Sequence, residues 1–97
     1  MDDVHLLENY YPGDGPWKSF VGVWRDDWSA CTFKEQLLYV LSGKEDLAIV
    51  IYGLCGNGSL RWVNENVPAL DGITPLQCLL SIEFLKRLRT CLMRFPV

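Results

Sequence analysis

The chain has 97 residues, a formal net charge of −3 and 49% hydrophobic residues, which suits one small folded domain. That composition excludes a disordered tail. The net acidity argues against bulk nucleic-acid binding, which needs a basic footprint. The mean hydropathy, +0.09, is high for a chain with water on all sides and favours a partner or self-association.

The charge is unevenly spread. Residues 1–46 carry nine acids and four bases, and residues 47–97 carry three acids and five bases. Four of those bases, Lys86, Arg87, Arg89 and Arg94, fall in the last twelve positions. Cations near the end of a helix complement its dipole and need no ligand, although the cluster also suits an acidic partner or a few phosphates.

Residues 1–31 read as an irregular or extended segment packed on the core. They hold Tyr10, Tyr11, Trp17, Phe20, Trp24 and Trp28, half of the twelve aromatics. Pro12 to Pro16 (PGDGP) is a loop signal. Trp17 to Trp24 is rich in strand-forming residues, which suggests a short strand or an aromatic-packed arm. At least part of this region should be core, because six aromatics left in water invite aggregation.

From residue 32 to residue 97 the signals are helical. Thr32 and Glu35 form a capping box ahead of the apolar face Phe33, Leu37, Leu38 and Leu41, and Gly43 is a stop. Ser42 and Glu45 repeat the box. The next helix, about 45 to 55, is apolar almost all round and should be the central, buried one, with a buried strand as the alternative. Leu47 to Cys55, its longest apolar run, is too short to span a bilayer.

Gly56-Asn57-Gly58 ends that helix, and Ser59 can cap a short one through Trp62 and Val63. Pro68 and Asp71-Gly72 break the chain. Thr74, Pro75 and Gln77 then start a further helix, with Pro at the favoured first position and a third capping box. A break near Ser81-Ile82 should divide it from a last helix whose face is Leu85, Leu88, Leu92 and Phe95. The fold class is therefore all-α, a small bundle of about four to five short helices.

Little in the chain suggests catalysis. His5 is the only histidine and sits by the acidic N-terminus, so a His-based dyad or a multi-His metal site is not expected. Cys31, Cys55, Cys78 and Cys91 are widely spaced among apolar neighbours. They read as reduced, buried thiols in a cytoplasmic protein, without zinc spacing or a disulfide framework. Cys91, near Arg87 and Arg94, is the best candidate nucleophile, but a structural thiol is the simpler reading. Asp14, Asp26 and Asp27 lack the spacing of a calcium loop. Gly53 to Gly58 lacks the Gly-Lys-Ser/Thr ending of a phosphate loop. Met1-Asp2-Asp3 does not open a signal peptide. No cofactor, metal or enzymatic activity is expected.

Trp62 to Leu80 is the most specific segment. Trp62, Leu70 and Leu76 should be core, with the Trp62 indole N–H capping a carbonyl. Trp62-Val63, Pro68-Ala69-Leu70-Asp71-Gly72, Thr74-Pro75-Leu76 and Leu79 together resemble the toxin-binding domain of Xre/MbcA/ParS-type antitoxins. That family carries a Trp-Leu pair, a Pro-Ala-Leu-Gly/Asp-Gly turn and a Thr-Pro-Leu-Glu-Leu-Leu helix start. The spacing agrees, six residues from Trp62 to Pro68 and seven on to Pro75. The resemblance covers roughly residues 42–97. Gln77 replaces the family's acidic residue, and Pro96 stands where members often have Gly.

The resemblance implies a small all-α domain that forms an oligomer with a toxin, commonly of the NAD-consuming RES type. It implies that the C-terminal helix and tail lie against the toxin's active-site entrance. Lys86, Arg87, Arg89, Arg94, Phe95 and Val97 are then the expected partner contacts, and the turn holds that helix in place. Many members carry an N-terminal helix-turn-helix. Residues 1–31 do not read as one, so DNA binding is not expected. The alternative reading is a small structural or adaptor protein that homodimerises through its aromatic N-terminal region and binds another protein.

Overall fold

The computed structural model describes residues 7–95. His5 and Val97 lie outside them. Among the described residues the elements are helical, with no strand, as expected for an all-α chain. The α-helices are α1 (Asp14–Val23), α2 (Arg25–Trp28), α3 (Lys34–Val40), α4 (Glu45–Cys55), α5 (Ser59–Trp62) and α6 (Ile82–Met93). Four of them run seven residues or longer. Short 3-10 turns lie at Leu7–Tyr10, Gly56–Gly58, Pro68–Leu70 and Leu76–Leu80. No helix of the described residues is long and apolar enough to cross a membrane.

The centre is α4. Leu47, Ala48, Ile49, Val50 and Ile51 are all buried, so the helix has no solvent face over five consecutive residues. It packs against α1, α2, α3, α5 and α6. The alternative of a buried strand for this segment falls away. A strand has no ladder to join in a helical chain, whereas a helix satisfies its own backbone.

The reading of residues 1–31 as irregular or extended is corrected from Asp14 onward, because α1 and α2 occupy most of it. Strand-forming residues mislead here because Trp17 and Val21 lie four apart. As a helix they share one face, and both are buried against the core. Trp28 is buried from α2, with its ring edge-on to Tyr52 of α4 at 6.2 Å. The aromatics are thus partly core, as their number requires.

Two capping expectations also fail. Thr32 is exposed, and α3 starts at Lys34 with no side-chain cap. The ring of Phe33 packs on Tyr52 at 5.6 Å, and that contact sets where the chain enters the helix. Ser42 does not start α4 but ends α3. It sits in the left-handed region at φ 58°, and Gly43 follows at 79°. The Gly43 amide reaches back to the carbonyl of Leu38 at 2.8 Å and that of Ser42 to Tyr39 at 3.1 Å. This is a Schellman ending with serine in the usual glycine place.

Gly53 has a packing reason rather than a phosphate-binding one. A Cβ there would stand 2.5 Å from Cε3 and 2.6 Å from Cδ2 of Trp24. The Trp24 ring is held from its far side by Phe20, edge-on at 6.0 Å. Alanine in a helix interior normally stabilises by about 1 kcal/mol over glycine. Here overpacking against a rigid ring costs about 1–3 kcal/mol and reverses the sign. Gly53→Ala should therefore lower the midpoint of urea unfolding, whereas Gly22→Ala on the exposed side of α1, with open space around it, should not.

Candidate functional site

The segment from Trp62 to Leu80 forms a self-bonded turn that carries α6. Pro68–Leu70 is a 3-10 turn, and Asp71 and Gly72 follow at φ 61° and 81°. The Gly72 amide donates to the carbonyl of Val67 at 3.0 Å, and the Val67 amide donates to that of Ile73 at 3.1 Å. Asn66 adds a side-chain amide bond to the Gly72 carbonyl. Leu70 is fully buried beneath the turn. Asp71 tolerates the left-handed region better than most residues, and Gly72 adopts it without steric cost.

The Thr74–Gln77 box is present and reciprocal. The Gln77 amide donates to Thr74 Oγ1 at 3.1 Å, and the Thr74 amide donates to Gln77 Oε1 at 2.8 Å. It opens a 3-10 turn, Leu76–Leu80, and not the α-helix expected from Pro75. Leu76 is tied to the end of α5 by a bond from its amide to the carbonyl of Val63 at 3.2 Å. The chain then breaks where anticipated. Ser81 is extended, and its hydroxyl accepts the Phe84 amide at 3.0 Å to cap α6.

Trp62 and Leu76 are half-buried, so of the three expected core residues only Leu70 is fully enclosed. The Trp62 ring meets Phe95 edge-on at 6.1 Å. No hydrogen bond from its indole to a carbonyl occurs among the described residues.

The basic residues of α6 do not form one free patch. Arg87 is 8% exposed and holds Glu8 in a fork, with Nε and Nη2 at 2.9 and 3.0 Å from the two carboxylate oxygens. Its Nη1 donates to the Leu70 carbonyl at 3.4 Å and lies 3.3 Å from Asp71. Arg89 donates to the Tyr11 hydroxyl at 3.1 Å and to Asp46 at 3.3 Å, with Asp14 at 3.6 Å. Its guanidinium also lies 5.3 Å from the centre of the Trp17 ring, whose N–H donates to Asp46 at 2.8 Å. Arg87 and Arg89 are therefore not a free basic patch: both are engaged within the fold, and a partner reaches them only by displacing an internal contact. A charge on a helix surface has no address in sequence, and the acids that meet these two lie up to 79 positions away.

Lys86 makes no ion pair among the described residues and is half-buried. Arg94 is exposed, with its guanidinium 5.0 Å from the Tyr10 ring. Arg94 and Phe95 meet the motif turn. Together with Leu7, Val67, Pro68, Ala69 and Cys91 they line an apolar cleft of about 310 Å³. Sequence reasoning singled out Pro68, Arg94 and Phe95 separately, but Leu7 and Ala69 carried no signal that they share this cleft.

Three of the thiols are poor nucleophiles. Burial pushes Cys55 and Cys78 up to about 11 and also raises Cys91 above its ordinary value. At neutral pH all three stay protonated, and the thiolate is the reactive form. No group of three or more acidic, histidine or cysteine residues among the described ones could hold a metal ion.

Compared with family models, with curated proteins and with solved structures, the chain matches none.

The Glu8–Arg87 fork sets the expected acid response. The hydrogen bonds from Arg87 hold the Glu8 carboxyl below its ordinary value of 4.5. A depressed carboxyl pKa adds stability above 4.5, and that contribution fades as pH falls through the folded value. Glu8→Gln should thus lower the unfolding free energy by about 1.5–3 kcal/mol at pH 7, the range for hydrogen bonds to charged groups. Urea titrations from pH 7 down to 3 should show the two proteins converging below pH 4.5. A constant gap across that range would assign the difference to packing instead.

Proposed function

We propose that this protein is a non-enzymatic protein-binding module of the antitoxin kind, which neutralises a RES-type toxin by covering its active site. One observation carries the reading. The Pro68–Gly72 turn, which bears the family resemblance, and the end of α6, where that resemblance expects the toxin, meet in one apolar cleft. Its walls join Pro68 and Ala69 to Arg94 and Phe95, so apolar contact and one exposed cation are offered together. Protein interfaces commonly combine an apolar centre with arginine at hot spots. Neutralisation is then steric, with no chemistry asked of the protonated thiols. Free thiols at Cys31, Cys55, Cys78 and Cys91 suit the cytoplasm.

DNA binding forms no part of this proposal. The α2 helix is only four residues long and presents Asp26 and Asp27 to solvent, which disfavours approach to phosphates. A second reading, a self-associating adaptor, draws on Tyr39, Leu80 and Ile82, which are 86%, 81% and 71% exposed. Of the aromatic N-terminal region, Trp17 and Trp28 face inward and are not available to such an association.

The test is to ask whether a neighbouring gene encodes a RES-type toxin and to co-express the chain with that gene's product. Co-purification and restored growth are expected. Ala69 is exposed on the cleft wall, so Ala69→Arg should block the cleft, leave helical content intact and reduce toxin capture at least tenfold. Failure of the unaltered chain to bind or to rescue growth would sink the antitoxin reading. A concentration-dependent dimer by light scattering, with no toxin captured, would favour the adaptor.

A further inference from the structure

The 3-10 turn Leu7–Tyr10, with Tyr11 after it, lies along α6 as a strap. None of the four turn residues is buried. Much of its hold is polar or cation–ring contact. Glu8 sits in the Arg87 fork, the Tyr11 hydroxyl accepts from Arg89 at 3.1 Å, and Arg94 lies over Tyr10 at 5.0 Å. Two arginines of α6 and the one that follows it thus receive one acid and two tyrosines.

Arg87 keeps other anchors besides Glu8. The Leu70 carbonyl and Asp71, both in the motif turn, hold its Nη1 from the opposite side. Arg89 likewise keeps Asp14 and Asp46. If Glu8 leaves, the Arg87 fork remains aimed at the vacated position. A planar guanidinium fixed in this way matches a carboxylate in two-point geometry, and preorganisation lowers the cost of binding.

We propose that residues 7–11 are an intramolecular stand-in for a partner's acidic peptide segment, which takes their place on Arg87, Arg89 and Arg94. Charge decides the class of occupant, since Arg87 is buried and needs an anion in its fork. The neighbouring cleft, which keeps Pro68, Ala69, Cys91 and Phe95 when Leu7 leaves with the strap, admits an apolar residue beside that acid. A tethered strap competes at an effective concentration on the order of mM, so weak ligands are kept off and a tight partner is admitted. This inference rests on the protein-binding reading above and supplies the regulation of that face.

The probe is a fluorescein-labelled peptide Leu-Glu-Asn-Tyr-Tyr, the strap's own sequence, titrated with the full chain and followed by anisotropy. Glu8→Ala and Glu8→Gln should each bind it at least tenfold more tightly than the unaltered chain. The same peptide with Gln for Glu should lose that gain. Adding Arg87→Lys to either variant, which keeps the charge and removes the fork, should also abolish it. If Glu8→Ala unfolds, Glu8→Gln gives the reading, because it keeps the side chain's volume. A folded Glu8→Gln chain that binds the peptide no more tightly than the unaltered one overturns the proposal. Peptide binding without toxin capture would overturn only the antitoxin reading, and toxin capture without peptide binding only the strap.

Discussion

Enclosure of α4 is the constraint from which the rest follows. Five consecutive buried residues, Leu47 to Ile51, leave that helix no face to give to water. In a chain this small few elements are free to cover it, so the N-terminal region cannot remain a loose arm. The α1 and α2 helices close one side with Trp17, Val21 and Trp28, α3 and α5 close another, and α6 contributes Leu88 and Leu92. Close approach is part of the same constraint. Gly53 lets the Trp24 ring lie where a side chain would stand, which fixes how near the N-terminal helices come.

Enclosure by apolar side chains does not fix register along α6, and polar contacts do that. Arg89 is held among Tyr11, Asp14, Asp46 and the Trp17 ring, so one guanidinium joins the N-terminal loop, α1, the first turn of α4 and α6. Arg87 joins the motif turn to the strap. Removing one partner from such a group leaves a charge short of its bonds, whereas a surface pair is worth little. The contrast is with the exposed Arg61–Glu65 pair, at 3.6 Å and four positions apart, which joins no two elements of the core.

Much of this was legible in the sequence, and the failures have a common cause. The bounds of α4, the break at Ser81, the Thr74–Gln77 box and the Asp71-Gly72 turn were all readable, because each depends on residues within a few positions of one another. The region before residue 32 was misread because the helical pairing of Trp17 with Val21 looks like strand composition when no partner is visible. Thr32 has every local feature of a cap and loses to Phe33, whose ring is claimed by Tyr52 nineteen positions on. Arg87 and Arg89 read as a basic patch for the same reason. Their acids come from the other end of the chain, and spacing cannot announce them.

That division bears on where function can reside. The Trp62–Leu80 segment bonds to itself along the backbone and is anchored to the core through Leu70, so it can serve as a seat. It anchors two things at once: the Arg87 guanidinium through Leu70 and Asp71, and the cleft wall through Pro68 and Ala69. A seat formed within the fold and faced by a partly exposed strap would separate the costs of ordering. In the proposed exchange the receptor side is ordered when the chain folds, and only the strap would have to move for a partner. Binding sites are built this way when affinity must come from preorganisation and not from area. Under that proposal a turn that looks purely structural would govern recognition at α6. It positions one arginine and one cleft wall and need not itself supply the central contact.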